Sequence, residues 1–136
     1  MTQLKRVGIY AGAALIILLA GYFWGALGRR SAERELARAN ARLELSDARR
    51  LALAGSVDLY KLNFGAAAAH FENARATADR ARTKLVDAGS TADPADLSTV
   101  VGTLDEARAL AAKLDPAAGQ KAASAVATLD KVASAP

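Results

Sequence analysis

The sequence predicts an all-α protein, with one N-terminal transmembrane helix leading into a small antiparallel helical hairpin or bundle of about four helices. Three observations carry that expectation. Residues Val7 to Leu27 include no charged side chain. Beyond them, alternating β-branched runs between tight turns are almost absent, while alanine, leucine, arginine and glutamate dominate and favour helix. Within that remainder Ala67, Phe71, Ala74, Ala78, Ala81, Leu85 and Ala88 recur at alternating spacings of four and three, an unbroken heptad seam. The expected organisation is a short tail over 1–6, the membrane helix over 7–27, and a helical extramembrane domain over 28–136.

The 21 residues of the uncharged run, at about 1.5 Å each, make roughly 31 Å of helix, which matches a hydrocarbon core of about 30 Å. In lipid one isolated segment must satisfy its own backbone, so it must be helical. Tyr10 near one end, and Tyr22, Phe23 and Trp24 near the other, suit the headgroup boundary. Lys5, Arg6, Arg29, Arg30, Arg34 and Arg38 flank the run and are the candidate lipid-headgroup contacts. The rival reading is a cleaved signal, with Ala26-Leu27-Gly28 as a small-x-small site. Signal apolar regions span about 7–15 residues, so the length favours retention. Counting Lys and Arg near the run places the larger basic excess on the carboxyl side, which favours a cytoplasmic C-terminal domain. Gly8 with Gly12, and Gly21 with Gly25, stand four apart, a spacing that lets helix backbones approach closely in lipid. They are the candidate helix–helix contacts in the membrane, with a second copy or with another subunit.

The first bundle helix is expected from about Ala32 to Leu62, in possible continuity with the membrane helix past Gly28. Its apolar stripe reads Leu36, Ala39, Leu43, Leu51, Ala54, Val57 and Leu59, broken by Ser46, Asp47, Arg49 and Arg50. Arg34, Arg38 and Arg42 are like-charged neighbours at four-residue spacing, which disfavours an isolated coiled coil. A stalk partly covered by other helices fits better. Lys61 to Gly65, KLNFG, reads as an elbow, because Asn and Gly tolerate helix-breaking conformations. The seam helix follows from about Ala66 to Ala88. Asp93 with Pro94, and Asp115 with Pro116, then read as N-cap and first helical position of two further helices. The third directs Leu97, Val100, Val101, Leu104, Ala107, Ala111 and Leu114 inward, and the fourth Ala118, Ala122, Val126, Leu129 and Val132. Tyr60, Phe64 and Phe71, with Ala67 and Ala74, are expected to clamp the hairpin together.

Leu51, Ala54 and Gly55, then Asn63-Phe64, then Ala67, Phe71 and Ala74, resemble one tetratricopeptide repeat over residues 51–74. The resemblance implies a helical hairpin of the protein-binding kind. Asp58 stands where that family has an aromatic, Leu62 where it has a turn glycine, and Asp79 where it has a late proline. No second copy follows at a 34-residue offset. The layout of one anchor and one helical domain also looks like that of many small bacterial membrane proteins, which implies a single pass through the inner membrane.

Charge narrows the function classes. The chain has 18 basic and 14 acidic residues, net +4, but the excess is local. Residues 29–50 carry net +3 and residues 51–136 net −1. Basic character beside a bilayer suits anionic lipid and needs no nucleic acid, for which a basic face with stacking aromatics would be wanted. There is no cysteine, hence no disulfide and no thiolate metal site. His70 is the only histidine and, lying off the seam face, reads as a surface residue, not a metal ligand. Asp105 and Glu106 are adjacent and therefore point to different sides of a helix. No P-loop, dinucleotide fingerprint, HExxH or nucleophile elbow occurs. No enzyme, cofactor or small-molecule substrate is expected. The mostly alanine seam buries little apolar area, so a covering partner would stabilise the domain. The expected role is an accessory or scaffold subunit of a larger membrane complex. The alternative is a self-associating membrane-surface module whose arginine-rich segment binds anionic lipid.

Overall fold

The computed structural model describes the backbone of residues 2–90 and 94–134, and the side chains of residues 14–25, 28–90 and 94–134. The described residues form four α-helices: α1 Thr2–Tyr60, α2 Phe64–Asp87, α3 Pro94–Ala112 and α4 Ala118–Ser134. No strand occurs among the described residues. The expected membrane helix and the expected first bundle helix are one element, α1, which runs through Gly28 without a break. The chain divides into two compact units, Met1–Glu35 and Leu36–Pro136.

In the first unit, residues 14–25 of α1 are exposed on every side. Among the described residues no helix is long and apolar enough to cross a membrane. The expected transmembrane helix over 7–27 therefore gains no support from the structure itself. Side chains at Lys5, Arg6, Gly8 and Gly12, named above as lipid and helix contacts, lie outside the described residues.

The second unit is an up-down-up-down bundle, and its side-chain pairs fix the directions. Glu44 of α1 meets Lys84 of α2 at 2.8 Å, while Asp58 near the end of α1 meets His70 near the start of α2 at 2.9 Å. Glu72 meets Arg108 across α2 and α3, and Glu106 meets Lys121 across α3 and α4. Arg49 of α1 meets Asp130 of α4 at 2.6 Å and closes the ring of helices.

Three caps of the same design shape the turns. Ser90 N–H donates to Leu85 carbonyl and Gly89 N–H to Val86 carbonyl, with Gly89 at φ +60. This is the Schellman arrangement, in which one residue past the helix takes a left-handed conformation. Leu62 (φ 57) and Leu114 (φ 60) hold the same position after α1 and α3, where Asn63 N–H donates to Asp58 carbonyl and Asp115 N–H to Leu110 carbonyl. Leu114, expected to point inward, is thereby turned out to solvent. Asn63 Oδ1 accepts from Ala66 N–H and starts α2. Asp115 Oδ1 accepts from Ala117 N–H, but Pro116 lies in a turn and α4 begins two residues later. Asp93 lies outside the described residues.

The core is lined mainly by small side chains. All seven seam positions from Ala67 to Ala88 are buried, together with Leu97, Val100, Leu104, Ala107 and Ala111 of α3. From α4 come Ala118, Ala122, Ala125, Leu129 and Val132, while Val126 is only partly buried. On α1 the buried stripe is Ala41, Leu45, Ala48, Ala52 and Gly55. The expected stripe differs: Leu36, Ala39, Leu43 and Val57 face solvent, and Leu51 and Leu59 are half-buried. The reason is steric. A Cβ on Gly55 would come within 2.6 Å of Phe71 Cε1, so α1 approaches α2 through its smallest residues.

Candidate interaction surface

Phe71 is fully buried, and Ala67 and Ala74 flank it on the same face of α2. Phe64, the first residue of α2, is half-buried. Tyr60 does not join this cluster. The last turn of α1 aims it outward, and it is 93% exposed. The expected clamp is thus Phe71 seated on Gly55, with Tyr60 outside it.

Tyr60 instead borders an open groove of about 760 Å³. One wall comes from the end of α1 and the turn after it, through Leu53, Ser56, Leu59, Tyr60 and Leu62. The other comes from Pro116 and α4, through Gly119, Gln120, Ala123, Val126, Ala127 and Asp130. Phe64 also lines it. The lining is mostly apolar, with Ser56, Gln120 and Asp130 among its polar members. The up-down topology explains the position. The turns after α1 and α3 lie at the same end of the bundle, so Leu62 and Leu114, each on left-handed backbone, are both presented there. Their exposures are 77% and 67%.

The polar groups around the bundle are mostly engaged with each other. Glu44 Oε1 accepts from Lys84 and lies 3.7 Å from Arg80, while its Oε2 is buried without a hydrogen-bond partner. Glu72 accepts a 2.6 Å hydrogen bond from Arg75, which holds its carboxyl below the ordinary value, assisted by the charges of Arg75 and Arg108 and opposed by desolvation. The same contact raises the Arg75 guanidinium. His70 Nδ1 lies 2.9 Å from Asp58 Oδ2, so the histidine expected to be a plain surface residue bridges α1 and α2. Asp58 and His70 are 12 residues apart on different helices, a distance at which no local spacing rule operates. The one available signal was the acidic residue at a site where the repeat pattern has an aromatic. Among the described residues no group of three or more His, Cys, Asp or Glu side chains is placed to hold a metal ion.

The candidate lipid contacts separate into two kinds. Arg29, Arg30 and Arg34 are exposed and belong to the first unit. Arg38 belongs to the second, and its Nη2 donates to the carbonyls of Ala88 at 3.3 Å and Gly89 at 3.2 Å. A cation at those carbonyls complements the negative end of α2. Arg38 therefore serves as a cap within the bundle. Gly21 and Gly25 have no heavy atom within 4 Å of an added Cβ, so no described residue occupies their faces. Comparison with protein-family models, with curated proteins and with solved structures finds no match to this chain.

Proposed function

We propose that this chain is a non-catalytic, single-pass, membrane-anchored helical protein that acts through protein–protein contacts as an accessory or scaffold subunit of a larger membrane complex. The observation that carries the contact role is the apolar groove with exposed Leu62 at its mouth. A large aliphatic side chain on left-handed backbone costs roughly 1–2 kcal/mol relative to glycine, and here it ends mostly in water, 77% exposed. A partner helix presenting an apolar face would bury Leu62 and Phe64 together. The single tetratricopeptide-like hairpin over 51–74 belongs to the same reading. Membrane anchorage rests on the uncharged run from Val7 to Leu27. Its described part exposes five consecutive large or branched apolar residues, Leu15 to Leu19, around the whole helix circumference. A helix apolar all round suits protein interior or lipid, not water.

Native membranes extracted in mild detergent test both parts. The chain should sediment with membranes after a carbonate wash, and the extract should hold it with a second protein in fixed ratio. Recovery in the aqueous fraction would end the anchor. Recovery of this chain alone would end the accessory-subunit role. A second reading, the lipid-reading module, draws on the exposure of Arg29, Arg30 and Arg34. It expects flotation of the full chain to strengthen with anionic lipid content and weaken with salt.

A further inference from the structure

We infer that a second copy of this chain packs, parallel and in register, along the outward face of α1 over residues 36–60. This rests on the reading that the bundle works through contacts, and it names the occupant of one face.

Within the second unit α1 is apolar on two faces. One is the buried stripe through Ala41, Leu45, Ala48 and Ala52. The other begins at Leu36 and recurs every three and four residues, at positions 36, 39, 43, 46, 50, 53, 57 and 60. All eight positions are exposed, and five of them are Leu36, Leu43, Leu53, Val57 and Tyr60. This is the a/d pattern of a coiled coil, with Leu36, Leu43, Arg50 and Val57 at a and Leu53 and Tyr60 at d. No described residue covers it.

Three features point to a second copy as the partner. The seam keeps a heptad period over three and a half repeats, and this period is what holds two identical helices in contact as they supercoil. The flanking charges are self-complementary. In a parallel pair each g residue faces the e residue five places on in the partner helix. That sets Arg42 of one chain against Asp47 of the other, twice by symmetry, and creates no like-charge pair at the remaining flanks, Glu35 with Asn40, Arg49 with Ala54 and Ser56 with Lys61. Asp47 is free to re-pair, since its own contact with Arg50 is an exposed one at 3.4 Å. Finally, Arg50 is the one charged residue on the seam, and a single polar a position sets register and pair number at some cost in stability. The seam avoids the like-charged ladder of arginines, because Arg38 is turned to the carbonyls of Ala88 and Gly89.

The chain has no cysteine, so single thiols report the geometry directly. The full-length chain is purified in mild detergent as Leu43→Cys, Leu53→Cys and, as an exposed control on α3, Thr99→Cys, and is then oxidised. The expected result is a disulfide-linked homodimer at 43 and at 53 and little at 99. Leu43→Asp should weaken self-association on the order of tenfold or more, by removing two leucines from one interface, while the bundle's melting stays unchanged. Cross-linking at 43 and 53 no faster than at 99 would overturn the pairing, and so would a monomeric mass. Neither of those outcomes bears on the accessory-subunit reading, which stands or falls on the extraction.

Discussion

Helices α1 and α2 of the bundle use nearly the same residue types, yet they solve burial differently. On α2 one apolar stripe exists, and all of it goes inside, from Ala67 to Ala88. On α1 two stripes exist, and the one that goes inside is the smaller: three alanines, a glycine and Leu45. Leu36, Leu43, Leu53 and Val57 stay out. Hydrophobicity alone would have reversed that choice. The deciding quantity is the distance of approach that α2 requires, because Phe71 occupies the space where a side chain at position 55 would stand. A bundle seamed with alanine selects for smallness at the contact, and the large apolar residues become surface available to a second helix.

The sharpest way to break this comparison is Phe71→Ala. Phe71 is the largest fully buried side chain, and its loss should cost about 3–5 kcal/mol in denaturant unfolding of the bundle. Leu43→Ala, measured at a dilution where chains do not associate, should fall within about 0.5 kcal/mol of wild type. Equal losses at the two sites would mean that the outward stripe is part of the core.

A glycine pair sharpens the same contrast with opposite signs. Gly55→Ala drives a methyl group into a ring that cannot move, because Phe71 is fully buried, and should destabilise by about 1–3 kcal/mol. Gly102 lies on an exposed face of α3, and a Cβ there meets nothing within 4 Å. Gly102→Ala should therefore stabilise by roughly 0.5–1 kcal/mol, the usual helix-interior difference. Thermal unfolding of the two variants beside wild type reads both signs. Smaller again is the effect at the turns. Leu62→Gly and Leu114→Gly remove left-handed strain but add unfolded-state freedom, so each should gain from a few tenths to about 1 kcal/mol. If Leu62 serves the groove, its replacement should weaken partner capture in the detergent extract even as the bundle melts higher, whereas Leu114→Gly should raise melting alone.

Legibility in the sequence followed the number of competing stripes. The α2 seam was unambiguous because its heptad has no rival, and the breaks at Gly89 and Asp115 were marked by residues with clear turn chemistry. The stripe on α1 could not be resolved locally. Its direction depends on Phe71, which lies 16 residues beyond Gly55 and faces it only once the hairpin has closed. The left-handed leucines were equally hidden, since nothing in the identity of Leu62 or Leu114 announces a conformation that glycine normally takes. The site suffered most. Tyr60 and Phe64 both line the groove, whereas Phe71, expected beside them, goes to the core, and the α4 wall of the groove, with Asp130 held by Arg49 across the ring, carries no motif. What the sequence did convey about contact was coarser: too little large apolar area inward for the amount present overall.

The smallest effect probes how α2, with its single stripe, is tied to α3. Glu72 accepts from Arg75 at 2.6 Å and reaches Arg108 of α3 at 3.2 Å. The hydrogen bond from Arg75, and then the charges of Arg75 and Arg108, hold the Glu72 carboxyl below its ordinary value. A carboxyl lowered on folding stabilises the native state above the unfolded value, about 4.3, and that contribution disappears as the pH falls through the lower folded value. The group is substantially exposed, so the effect should not exceed about 1 kcal/mol and should shrink in salt. Glu72→Gln should therefore unfold more easily than wild type at pH 7, with the gap closing as acid protonates Glu72 in wild type. A gap that persists unchanged to about pH 2, well below the ordinary carboxylate range, would show that Glu72 acts through packing and not through charge, and would remove the Glu72–Arg108 pair from what holds α2 to α3.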